Sequence, residues 1–166
     1  MVRQNATEWG LQPNKIGFLG ACAAGHMGAS LGAKFAKKVY APVDAADSLS
    51  ARPDFLLLLY PVVSMEDKVT HLESRTNLLG KDPSSELIKE YSADQQVTKD
   101  SPMTFVVVAK DDPAVPPENS IQYHEALKKL GVSSELHTFA GAAMALASTM
   151  RASCRSPAGH NPLRAG

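Results

Sequence analysis

Residues 16–26, Ile16-Gly17-Phe18-Leu19-Gly20-Ala21-Cys22-Ala23-Ala24-Gly25-His26, pass from an apolar run into a string of small residues. The run reads as a buried strand, here taken as residues 15–19. Residues 27–38 carry small and apolar side chains at helical spacing and end in Lys37 and Lys38, which suit the negative end of a helix dipole. A strand that turns sharply into a helix is the setting of a nucleophile elbow. The nucleophile there sits on strained backbone, so the residues two before and two after it must be small, and the helix N-terminus behind it favours a thiolate and an oxyanion. Gly20, Cys22 and Ala24 fit, with Ala24 where a second glycine is usual. Cys22 also reads as a small hydrophobe buried in a packed turn, which is what most lone cysteines in such turns are. A dinucleotide-binding turn is a third reading of the same residues. Against it, Gly17, Gly20, Gly25 and Gly28 never make G-x-G-x-x-G, and Asp44 lies in a proline-containing stretch rather than at the end of a second strand.

Outward from the elbow, three more apolar segments read as strands: residues 54–60, 103–109 and 135–139. Phe55-Leu56-Leu57-Leu58-Leu59 and Phe105-Val106-Val107-Val108 lack polar alternation, as expected of parallel strands covered by helices on both faces. The fold class is therefore α/β. Residues 118–130 predict a helix entered through Pro116-Pro117, with Ile121, Tyr123, Ala126, Leu127 and Leu130 inward and Gly131 as its stop. Residues 85–91 predict a short helix. Residues 65–99 are otherwise polar and loop-like, placed to cover the mouth of a site, and residues 2–9 predict a helix leading into the first strand. From residue 151 to 166 there is no periodicity, and the tail reads as unstructured. The organisation expected is a partial α/β domain over residues 1–140 and an atypical tail over 141–166.

The 166 residues hold 44% hydrophobic side chains, enough for one ordinary core, and 17 basic against 17 acidic residues, dispersed along the chain. That balance offers no cationic stripe for nucleic acid. The apolar runs are too short to span a bilayer, and no apolar leader precedes a cleavage site, so no membrane partner is expected and localisation stays open. Cys22 and Cys154 show neither a CxxC nor a Cys/His ligand spacing, which leaves no metal site and no disulfide framework. No cofactor is expected.

A second constellation is Asp111-Asp112-Pro113-Ala114-Val115-Pro116, directly after the third strand. An acid there stands at the carboxyl edge of the sheet, where it can orient a histidine as the third member of a triad. Asp112 is the better candidate, with Asp111 left to cap the turn. A plain Asp-Asp-Pro turn is the structural alternative.

Taken together, these segments resemble the α/β-hydrolase superfamily, in its acetyl-esterase and acetyl-xylan-esterase-like branch. The resemblance covers residues 2–139. It rests on the GxSxGGH-like elbow at residues 20–26, Arg52-Pro53-Asp54-Phe55, Tyr60-Pro61-Val62-Val63-Ser64, Asn77-Leu78-Leu79-Gly80, Pro102, Asp112-Pro113-Ala114-Val115-Pro116, Glu118-Asn119-Ser120, Ala126-Leu127 and Gly131-Val132. It implies a Ser/Cys-His-Asp ester hydrolase acting on a small ester or an acylated sugar. Cys22 then takes the serine position, Asp112 is the triad acid, and the Ala23 N–H is the surviving oxyanion donor. Dienelactone hydrolases resemble this elbow and use a cysteine. Relatives of this kind are often secreted.

Two departures from the family pattern follow. Such enzymes open with further strands and an HGG-type oxyanion loop, so the chain is expected to be the C-terminal part of the fold, truncated at its N-terminus. The family also carries its general base in Gly-Gly-His-Gly-Phe-Gly, where this chain has Ala142-Ala143-Met144-Ala145-Leu146-Ala147. Met144 falls where the histidine belongs, and a thioether accepts no proton from a nucleophile. Codons reading Gly-Gly-His-Gly-Phe-Gly-Leu give Ala-Ala-Met-Ala-Leu-Ala-Ser when shifted by one base, so loss of a nucleotide near codon 140 is expected to have put the tail out of frame. The other reading is divergence of a decaying tail. His26, His71, His124 and His137 read as structural, and His160 could stand in as base only by coincidence. Function is accordingly expected to be an ester hydrolase impaired in this chain, or else an inactive remnant, a binding module or a complementation fragment that self-associates through an exposed sheet edge at residues 15–19.

Overall fold

The consecutive apolar residues at 55–59 and 105–108 become the two inner strands of a parallel sheet. The computed structural model describes residues 1–140. Its strands β1 (Gly17–Ala21), β2 (Phe55–Leu59), β3 (Met103–Ala109) and β4 (Ser134–Phe139) lie in the order β1-β2-β3-β4, every pair parallel. The register sets Gly20, Leu58 and Val106 side by side. Because all four strands run the same way, the segments leaving β1, β2 and β3 gather at one carboxyl edge.

Four helices accompany them: α1 (Ala23–Lys34), α2 (Leu72–Leu79), α3 (Ser85–Tyr91) and α4 (Glu118–Lys129). Helix α1 starts four residues before the expected 27, because Ala23-Ala24-Gly25 carry no apolar contrast for a periodicity to register. It ends at Lys34 rather than 38, and Lys37 instead pairs with Glu90 at 2.6 Å. Helix α3 and the start of α4 fall where the sequence puts them, and Gly131 follows α4 at φ +75°. Helix α2 interrupts the stretch expected to be loop. Its N-cap is His71, whose ring Nδ1 accepts from the Ser74 N–H at 3.4 Å, a residue type that gives no customary start signal.

The expected helix over residues 2–9 is instead a run of turns, with Asn5 N–H on Met1 C=O and Trp9 N–H on Asn5 C=O. A segment of this length repays helix nucleation poorly, and Val2, Asn5 and Thr7 are weak helix formers. Arg3 fixes the segment from its side chain, donating to the carbonyls of Ser50 and Arg52 and pairing with Asp54 at 3.3 Å.

Helices α1 and α4 pack on the same side of the sheet. Ala29 of α1 and Tyr123 and Leu127 of α4 close over Leu56, Leu58 and Val106, with Phe18 and Leu136 at the margins. Withdrawing Leu56 and Leu58 from water contributes about 1.5–3 kcal/mol each. Among the described residues, the cover expected on both faces lies on one. On the other lie Leu19, Leu57 and Phe105 in register, then Ala21, Leu59 and Val107, all partly or largely exposed. Among the described residues no helix lies over them, and no helix is long and apolar enough to cross a membrane.

Candidate active site

β1 ends at Ala21, and the next residue makes the turn. Cys22 stands at φ 52°, ψ −120°, a left-handed conformation that strains any residue with a Cβ. The strain persists because the backbone is held on both sides. The Cys22 N–H donates to Leu59 C=O at 3.1 Å, and its carbonyl accepts from Val62 N–H at 3.1 Å and from His26 N–H at 3.3 Å. A Cβ on Gly20 would stand 2.4 Å from Ala24 C=O oxygen, so the glycine two residues before Cys22 is required. Ala24 is exposed, which explains why alanine is tolerated there. The second close approach falls one residue later, at Gly25, where a Cβ would meet Pro61 at 2.6 Å.

Helix α1 begins at Ala23 with no side-chain cap and no acidic residue in its first turn. Its first amides therefore lie at an uncapped N-terminus beside the Cys22 side chain, the positive end of the helix dipole. The thiol is half-buried and packs against a small cluster of Val62, Met65 and Val115 that Leu79, Ile88 and Tyr91 also border.

Asp112 follows β3 at the same edge. Its Oδ1 accepts from Ala114 N–H at 2.8 Å and Val115 N–H at 3.0 Å, so Asp112 itself shapes the turn, a role the sequence left to Asp111. The other carboxylate oxygen accepts no hydrogen bond among the described residues. Val115, three residues on, lies in the cluster under Cys22, which brings the elbow and the acid-bearing turn onto one apolar floor. Met144, expected in place of the histidine, lies outside the described residues, as do His160, Cys154 and every expectation about residues 141–166.

The described histidines divide by position. His26 is enclosed on α1 with Nε2 3.3 Å from Ser30 Oγ, and burial is the main cause that holds its pKa below the ordinary value. His71 caps α2. His124 Nδ1 lies 2.8 Å from Ser134 Oγ, and His137 stacks on Phe105 at 4.5 Å on the uncovered face. Among the described residues no group of three or more His, Cys, Asp or Glu is arranged to hold a metal ion. Asn119 was legible only as part of Glu118-Asn119-Ser120. It proves to be a fully buried hydrogen-bonding centre between the loops.

A family model described as BD-FAE matches residues 1–127. The chain belongs to the BD-FAE family. The chain is 32% identical to an acetylxylan esterase from Xylanibacter ruminicola over 143 residues, which are 84% of this chain and 27% of that protein. Among solved structures, an acetyl ester-xyloside bifunctional hydrolase from Caldicellulosiruptor lactoaceticus superposes with TM-score 0.79 at 35% identity, covering 92% of this chain and 57% of that one. Thermogutta terrifontis esterase 2, phosphonylated by sarin, superposes with TM-score 0.68 at 26% identity, covering 92% of this chain and 59% of that one. The BD-FAE chain thus has an α/β-hydrolase fold and spans about a quarter of the first of these relatives.

Proposed function

We propose that this chain carries the nucleophile and the acid of a carboxylic-ester hydrolase for small acyl groups, acetyl groups on carbohydrates foremost, with its catalysis impaired. The observation behind this reading is Cys22 at positive φ, held by Leu59, Val62 and His26 directly before an uncapped helix. The acetylxylan esterase and acetyl ester-xyloside hydrolase among its relatives support the acyl class and the sugar.

In this reading the Cys22 thiolate attacks the ester carbonyl and the Ala23 N–H holds the resulting oxyanion. Collapse breaks the bond to the alcohol oxygen and leaves a thioester on Cys22, which water then hydrolyses to the free acid and the thiol. An alkoxide leaving group and the attacking water both need a base that carries protons, oriented by Asp112. Methionine at 144 supplies none. That residue also favours a second reading, a catalytically inactive remnant that binds or complements another chain and associates through the edge of β1, which pairs with no strand among the described residues.

An aryl acetate separates the two, because its leaving group departs without a proton. The expected result is a burst of one aryl product per chain, then turnover about 10²–10⁴-fold slower than a complete triad allows, as for loss of a general base. Cys22→Ala removes the burst. Acetylated xylo-oligosaccharides, whose alkoxide needs protonation, are turned over more slowly still. Equal hydrolysis by the unmodified chain and Cys22→Ala would sink the hydrolase reading in favour of the remnant.

A further inference from the structure

Asn119 stands in the first turn of α4 with no exposure to solvent, a place where an unpaired amide would be strongly destabilising. All of its side-chain capacity is matched. Oδ1 accepts from Val63 N–H and Ser64 N–H, both at 2.9 Å, and Nδ2 donates to Val69 C=O at 2.5 Å and Pro116 C=O at 3.1 Å. Only the Pro116 bond is local. The others reach 50 to 56 residues back along the chain, into the segment that leaves β2.

That segment is what holds the elbow. Val62, next to Val63, donates its N–H to Cys22 C=O, one of the bonds that keep Cys22 at positive φ. Pro116 closes the turn that Asp112 shapes through Ala114 and Val115, and Val115 packs with Val62 and Met65 under the Cys22 side chain. One amide therefore joins the backbone behind the nucleophile to the backbone beyond the acid. The side chain caps no N–H of α4, and a hydrophobic residue of similar size would fill the space without engaging the four loop groups.

We infer that Asn119 is a positioning residue, setting the conformation of Cys22 and its spacing from the Asp112 turn. The inference rests on the proposed reading of those two residues as nucleophile and acid. Asn119→Asp keeps an acceptor and loses both donors; Asn119→Ala loses everything and leaves the Val63 and Ser64 N–H groups and the Val69 C=O without this partner, while Pro116 C=O keeps the Asn119 backbone N–H at 3.0 Å. Ser120→Ala is the control, since Ser120 is equally buried on the same turn and its hydroxyl has no partner among the described residues.

The test uses the full chain and two measurements that need no ester turnover. In native-state hydrogen exchange, Asn119→Ala accelerates Val62, Val63 and Ser64 by about tenfold or more relative to Leu58 and Val106; Asn119→Asp, which still accepts from Val63 and Ser64 but releases Val69, accelerates them by a smaller factor, and Ser120→Ala does not. In iodoacetamide alkylation of Cys22 followed across neutral to alkaline pH, both variants shift the midpoint of the rate profile and Ser120→Ala leaves it in place. Should Asn119→Ala fail to fold, Asn119→Asp carries both measurements. Uniform acceleration over the whole sheet with an unmoved alkylation midpoint would make Asn119 an ordinary core residue and overturn the inference, as would no change in either. A shifted midpoint in a chain without Cys22-dependent hydrolysis keeps the positioning role and removes the hydrolase reading alone.

Discussion

His26 follows Cys22 by one helical turn, its amide on the Cys22 carbonyl and its ring enclosed, with no well-aligned hydrogen-bond partner for Nδ1 among the described residues. Burial lowers its pKa from 6.5, the Val62 backbone pulls it part of the way back up, and the Lys34 ammonium lowers it again. The unfolded chain therefore binds a proton on this ring at a pH where the folded chain does not. This contribution to stability is complete above 6.5 and is lost as the pH falls from 6.5 toward the lower folded value. His124 shifts in the same direction, so the reading must come from a difference. The urea midpoint of the unmodified chain should fall more steeply than that of His26→Gln between neutral pH and about one unit below the ordinary histidine value. Parallel slopes would show that His26 titrates alike in both states. Cys22 itself was legible in the sequence because an elbow demands small neighbours. The enclosure of His26 and the reach of Asn119 were not, since both depend on residues that only folding brings near.

Helix α1 is where the local sequence and the packing disagree most. Glycine is a poor helix former, yet Gly25, Gly28 and Gly32 are all buried in it. Each lies where a Cβ would enter a neighbour: Pro61 for Gly25, Phe18 for Gly28, Leu56 for Gly32. Alanine at 25 would gain about 1 kcal/mol of helix propensity. It would also press within 2.7 Å of the Pro61 backbone, which cannot yield as a side-chain tip can, and overpacking costs about 1–3 kcal/mol. The clash should win. Gly25→Ala is expected to lower the unfolding free energy in urea, and Gly28→Ala by less, because the Phe18 ring it meets can turn aside. Equal or greater stability in Gly25→Ala would show that Pro61 shifts freely. The pattern of strands and of α4 was readable from runs of apolar residues and from Pro and Gly punctuation. Helix α2 escaped because a histidine caps it and the stretch around it is polar.

At the scale of the molecule the decisive feature is the sheet face that no helix covers among the described residues. Four strands about 4.8 Å apart, each about five residues long at about 3.3 Å, give a plan area of roughly 300 Å². That is about the largest apolar patch a soluble monomer ordinarily presents. Here it carries Leu19, 67% exposed, in line with Leu57 and Phe105, and it continues to Met103 and Phe139. The outer edge of β1 adds backbone groups that pair with no strand among the described residues. Face and edge meet at Leu19, so a charge there opposes association by either route. The isolated chain should therefore sediment as a concentration-dependent mixture of oligomers, and Leu19→Lys should shift it toward monomer without changing its far-ultraviolet circular dichroism. Elevated salt should strengthen association of the unmodified chain, since apolar contact gains where charge attraction would be screened. A single monomeric species at every concentration would remove the self-association reading. It would also mean that the chain covers its own sheet, and would leave the hydrolase reading to stand or fall on Cys22 alone.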